Sequence, residues 1–106
     1  MSEPTTVICS YRPHEGHAAF VTRLVKGHVP MLRRRDLLAD TPTTVLEGQG
    51  VLVEIFEWAS EAASRAAHTD PVVQAYWAKM AEVCDFVPLA SLAEAARPFA
   101  HFKRIA

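Results

Sequence analysis

Two apolar runs, "TPTTVLEG" (41–48) and "GVLVEIFEW" (50–58), sit on either side of Gln49. Runs rich in β-branched residues and joined by so short a glycine-bearing link predict a β-hairpin. The second run constrains the fold most. Side chains alternate between the two faces of a strand. One face of 51–57 therefore carries Val51, Val53 and Ile55, and the other carries Leu52, Glu54 and Phe56. A sheet covered by helices on one side ordinarily turns polar residues to the other. Here both faces are apolar and both demand cover. In a chain of 106 residues the helices supply one layer, and a second copy of the sheet is the expected source of the other: a homodimer, sheet against sheet.

The remaining elements follow from changes of period. "TTVICSYRP" (5–13) reads as an opening strand that ends at proline. In "HEGHAAFVTRLVKGHV" (14–29), Ala18, Val21, Leu24, Val25, His28 and Val29 recur at three- and four-residue intervals, which predicts an amphipathic helix. Pro30 is expected to kink or end it, because proline lacks the helical donor and crowds the preceding turn. "SEAASRAAH" (60–68) is alanine-rich with Ser60 as its cap, and Asp70 caps a further helix with Pro71 at its first position. That helix is expected over roughly 71–86, with Val73, Tyr76, Trp77, Met80, Val83, Cys84 and Val87 as its apolar stripe. "PLASLAEAARP" reads as a loop with a short helical turn, and "FAHFKRI" (99–105) as the last strand. The order β-α-β-β-α-β is the ferredoxin-like split βαβ arrangement, a four-stranded antiparallel sheet with helices on one face in a single α+β domain. Lengths agree, since a helix of about sixteen residues and a strand of about seven both span ~23–24 Å.

Composition narrows the function. Half of the residues are hydrophobic and 22% are charged, which favours a packed core over disorder and leaves apolar surface for an oligomer to bury. A net charge of −1 supplies no field that would draw the protein to nucleic acid or an anionic membrane. No run reaches the ~18 apolar residues of a membrane span. "MSEPTTVICSY" lacks the basic and hydrophobic regions of a secretory signal, so a cytoplasmic location is expected. Cys9 and Cys84 belong to no CxxC or zinc-type cluster and are expected to be small buried hydrophobes.

The element order, together with "VEIFEWAS", "DPVVQAYW" and "VCDFVPLASLAEAARPF", resembles the antibiotic biosynthesis monooxygenase-like family of dimeric α/β-barrel proteins over about residues 5 to 104. That resemblance implies a homodimer and a cofactor-independent oxygenase that converts a hydroxylated aromatic to a quinone. A haem-degrading branch of the same family uses a histidine on the helix matched here by "VVQAYWAKM", and an asparagine on the first strand. This stretch has no histidine and the chain has no asparagine, so haem degradation is not expected. Neither a metal nor another cofactor is expected. The rival reading is a non-enzymatic dimeric domain that binds a small hydrophobic molecule or serves as an accessory.

Within that frame, Glu54 is the sharpest oddity, a carboxylate among apolar strand neighbours. A desolvated carboxylate can act as a pocket base; the ordinary alternative is an ion pair with a strand-edge arginine such as Arg12, or solvent at a dimer rim. His28 lies on the apolar face of the first helix, where it either moves protons or bonds to a backbone carbonyl in the core. Tyr76 and Trp77 share the sheet-facing stripe of the last helix. Glu54, His28 and Tyr76 are therefore the candidate catalytic residues, and Trp58, Trp77 and Arg12 the candidate substrate contacts. His14 and His17 show HxxH spacing around Glu15, which would put both histidines on one helix face, but structural zinc sites need a fuller set of ligands. His68, at a helix end, and the "RRR" of 33–35 read as solvated helix termini.

Overall fold

The computed structural model describes residues 3–106. In chain order the main elements are β1 (Thr5–Pro13), α1 (Ala18–Arg34), β2 (Thr44–Gly48), β3 (Val51–Trp58), α2 (Glu61–Ala67), α3 (Pro71–Ala81), β4 (Cys84–Val87) and β5 (Lys103–Arg104). Two short 3₁₀ turns, Leu89–Ser91 and Ala93–Ala96, lie between β4 and β5. The strands form one five-stranded antiparallel sheet in the order β4-β1-β3-β2-β5. The expected α+β class holds, with five strands in place of four.

The hairpin forms where the glycines predict it. Gly48 pairs with Val51 to close β2 against β3, and Gly50 takes φ +65°, a left-handed conformation that costs glycine nothing. Both predicted caps also form: Ser60 accepts from the Ala63 amide, and Asp70 accepts from the Val72 and Val73 amides ahead of Pro71.

Two boundaries differ from the sequence reading, the end of α3 and the last strand. At Pro30, where a kink or an end was expected, the helix does not end, and α1 runs on to Arg34. Pro30 and Lys26 are both exposed, so the Lys26 carbonyl left without its helical donor meets water, and α1 tolerates the break. α3 stops at Ala81, and residues 84–87, read as its last turns, form β4 instead. There Cys84 pairs with Pro13 and Val87 with Ser10, and the His14 amide donates to the Val83 carbonyl at 2.8 Å. Pairing with β1 thus overrides a local helical spacing. Of 99–105, the strand is confined to Lys103–Arg104, paired with β2 on the far edge, and the Ile105 amide continues the pairing to the Val45 carbonyl at 2.9 Å.

The helices cover one face. Tyr11, Leu52 and Val45 pack with Val21, Leu24, Val25 and Met80, and Phe56 and Trp58 pack with Val29, Leu32, Ala67 and Val73. The opposite face is covered in part by the chain itself. Leu92, 2% exposed, lies on Val51 and Val53 with Phe102 packed alongside. Part of the face for which a second copy was expected is thus covered from within the chain. What stays open is the other end, where Ile8, opposite Ile55, is 47% exposed.

Candidate functional site

The pairing of β1 with β3 brings Cys9 opposite Glu54 and Tyr11 opposite Leu52. Alternation along β3 turns Glu54 to the helix-covered face with Leu52 and Phe56. Its side chain is fully buried there beneath α1. The Tyr11 hydroxyl donates to Glu54 Oε1 at 2.8 Å, and His28 Nδ1 lies 2.8 Å from the same oxygen. Trp77 Nε1 lies 2.8 Å from His28 Nε2.

These contacts fix the proton of His28. An indole N–H can only donate, so His28 Nε2 accepts and the ring's single proton sits on Nδ1, directed at Glu54. His28 is thereby a neutral imidazole. Glu54 is a carboxylate that takes two neutral donors on Oε1, while Oε2 has no hydrogen-bond partner among the described residues. A buried carboxylate is tolerated only with donors aimed at it, and here Tyr11 and His28 supply them. The result is a continuous chain, Tyr11–Glu54–His28–Trp77.

Neighbouring groups register the buried charge. The Cys9 thiol is pushed up to about 11, by burial first and by the Glu54 charge second, with a hydrogen bond to Tyr11 acting the other way. Burial and then Glu54 push the Tyr11 phenol far above its ordinary range. Tyr76 is raised by the same two causes in the same order, against a weaker effect of Arg34. Thiol and phenols therefore stay protonated at neutral pH.

Beside this chain lies a cavity of about 350 Å³, at the small end of the ~300–1,000 Å³ typical of ligand sites. Val7, Cys9 and Tyr11 of β1 and Phe56 and Trp58 of β3 form its floor. His28, Trp77 and Phe86 form its walls, and Ser64 and His68 of the α2 region its rim. Its aromatic rings meet edge to face: Phe56 with Trp58 at 5.1 Å, His68 with Trp77 at 5.3 Å and Tyr11 with Phe86 at 5.8 Å between centroids. Edge-to-face contacts of this kind are a favourable packing arrangement for aromatic rings.

The candidates divide. Glu54 and His28 are hydrogen-bonded to each other, His28 lines the cavity, and Trp58 and Trp77 are on its surface. Tyr76 stands outside the lining. Its hydroxyl donates to the Leu24 carbonyl at 2.6 Å and ties α3 to α1. Arg12 alternates with Tyr11 to the other face, where its charge reaches Glu94. Glu54 is thus partnered by Tyr11 and His28 rather than by Arg12, and His28 bonds to side chains rather than to a backbone carbonyl. His14 precedes α1 and pairs with Asp85 at 3.0 Å, so His14 and His17 share no helix face. Among the described residues no group of three or more His, Cys, Asp or Glu is placed to hold a metal. Arg33 bonds the Thr41 carbonyl and Arg35 bonds Asp70.

Sequence reasoning did not single out Tyr11 as the second donor to Glu54, nor Cys9 and His68 as lining residues. Alternation along a strand puts Val7, Cys9 and Tyr11 on one face, but only the β1–β3 register shows that this face meets Glu54. No family model, no curated protein and no solved structure matches the chain.

Proposed function

We propose that the chain binds a small hydroxylated aromatic in this cavity and draws its acidic proton onto His28, with Glu54 holding the imidazole. The observation that carries the reading is the position of His28: its ring lines an aromatic cavity, and its Nδ1 is backed by a buried carboxylate. A carboxylate behind an imidazole fixes the tautomer, orients the ring and stabilises the imidazolium that forms when Nε2 takes a proton. A ligand hydroxyl would take the place of the Trp77 indole on Nε2.

The family resemblance supplies the onward chemistry. The deprotonated, electron-rich ring reacts directly with dioxygen at a ring carbon bearing one hydrogen. That carbon becomes a quinone carbonyl with one oxygen atom, the phenolate oxygen becomes the other carbonyl, and the second oxygen atom leaves as water with the ring hydrogen and the proton returned by His28. The strand order β4-β1-β3-β2 with helices on one face supports a ferredoxin-like assignment, with β5 as an added edge. The open end of the second face around Ile8 and Ile55 supports the homodimer.

One observation favours a second reading. Both His28 nitrogens are committed, to Glu54 and to Trp77, which suits a binding domain with no chemistry of its own. Melting curves with hydroxylated aromatics and quinones, followed by oxygen-electrode assays, separate the two. A ligand that binds only the native state raises Tm. A Tm rise with oxygen uptake that is lost in His28→Gln supports the enzyme. A Tm rise without uptake supports the binding domain, and no rise with any compound removes both.

A further inference from the structure

The charges around the cavity are one-sided. Glu54 is fully buried behind its wall, and its two partners, Tyr11 and His28, are neutral donors that leave its negative charge uncancelled. No lysine or arginine is among the lining residues. Arg34 is near enough to be felt at Tyr76 but does not line the cavity, and Arg12 lies on the other face of the sheet. His68, the one lining group besides His28 that can become cationic, is exposed at the rim. A second negative charge brought against these walls would be repelled by Glu54 and would gain no cation in exchange for the hydration it gives up. The aromatic faces add a further disadvantage, because their π-clouds are negative.

We infer that the cavity selects by charge, accepting uncharged aromatic hydrogen-bond donors and rejecting aromatic carboxylates of the same shape. This rests on the cavity being a ligand site. It also adds to that reading, because phenols, aryl amides and arene carboxylates would otherwise compete on equal terms. Glu54 thus acts on specificity through the field it projects past His28, without touching the ligand.

The test is isothermal titration calorimetry of the full chain at pH 7 with 1-naphthol, 1-naphthamide and 1-naphthoate. The amide and the carboxylate match in shape and differ in charge. The expected result is that naphthol and naphthamide both bind, and that naphthamide binds at least ~10-fold tighter than naphthoate. In Glu54→Gln the ratio of amide to acid falls toward one. If naphthol and naphthamide bind with less than a tenfold preference over naphthoate, charge selection is overturned while the ligand site stands. If naphthol alone binds, bulk rather than charge sets the choice, and the inference is again overturned. If none of the three binds, the ligand site itself falls and the inference with it. A folded Glu54→Gln that keeps the full preference would remove Glu54 as its source. Should that variant not fold, the three wild-type titrations decide the matter alone.

Discussion

Gly27 and Tyr76 give a prediction in which one substitution changes sign. Gly27 lies inside α1, where glycine costs ~1 kcal/mol relative to alanine, so Gly27→Ala taken alone should stabilise the helix. A Cβ built at Gly27, however, would stand 2.7 Å from the Tyr76 hydroxyl oxygen. That oxygen sits at the end of a rigid ring and donates to the Leu24 carbonyl at 2.6 Å. It cannot swing aside without breaking the bond, which is worth ~0.5–1.5 kcal/mol, and overpacking typically costs a further ~1–3 kcal/mol. Gly27→Ala should therefore destabilise the wild type by ~1–3 kcal/mol. In a Tyr76→Phe background the obstructing atom is absent, the next ring atom is 3.9 Å from the new Cβ, and the same substitution should stabilise by ~0.5–1 kcal/mol. Urea unfolding of the four proteins, with m-values compared, measures the cycle. Effects of Gly27→Ala that agree within ~0.5 kcal/mol in the two backgrounds would refute the close contact, and with it the account of Tyr76 as a strut between helices.

Other outcomes follow from the same contacts. Tyr11→Phe removes one of two donors to a buried carboxylate and should cost ~1.5–3 kcal/mol in urea unfolding, falling to ~0.5–1.5 kcal/mol in a Glu54→Gln background where the acceptor is neutral. Pro30→Ala restores the donor to the Lys26 carbonyl and should stabilise α1 by ~1–3 kcal/mol, read as a higher denaturation midpoint. The Cys9 thiol is raised to about 11, so its alkylation rate should still climb with pH above 9. In Glu54→Gln the midpoint should fall, though not to that of a free thiol, because burial is the larger cause. Asp70 is held below the ordinary carboxylate range, first by its hydrogen bond to Arg35. A carboxylate whose folded pKa is depressed contributes stability that is present above its unfolded pKa and lost as pH falls through the folded one. Asp70→Asn should accordingly flatten the acid limb of a stability–pH curve and leave its slope near neutral pH unchanged.

The parts of this fold that local chemistry dictates were legible in the sequence. The glycines of "GQG" turn the chain between β2 and β3, and Ser60 and Asp70 place two helix starts to the residue. The parts set by distant partners were not. Val83, Cys84 and Val87 continue the three- and four-residue spacing of α3, and nothing local says that β1 will claim 84–87 as a strand. "FAHFKRI" alternates like a strand, yet its position on the β2 edge depends on where Leu92 and Phe102 settle across the second face. The site divides in the same way. Glu54 stood out because a carboxylate amid valines and isoleucines needs a partner, and His28 because it interrupts an apolar stripe. Their meeting through Oε1 and Nδ1, and the choice of Tyr11 over Arg12 as the other donor, follow from strand register and from the packing of α1, which no local pattern encodes. Tyr76 and Trp77 are adjacent on one helix and similar in composition, yet one ties helix to helix and the other faces the cavity. A shift of one residue along a helix turns a side chain by ~100°.

The account depends most on His28, as a neutral imidazole whose Nε2 is held by Trp77 and released to a ligand. Nitrogen-15 NMR of the histidine rings, with and without 1-naphthol, addresses it directly. The predicted spectrum of the free protein has one His28 tautomer, protonated at Nδ1 and bare at Nε2, with the Trp77 Nε1–H coupled to that bare nitrogen. On addition of naphthol the coupling should be lost and the Nε2 resonance should move. A mixture of tautomers in the free protein, or a His28 ring unmoved by a ligand that raises Tm, would contradict it.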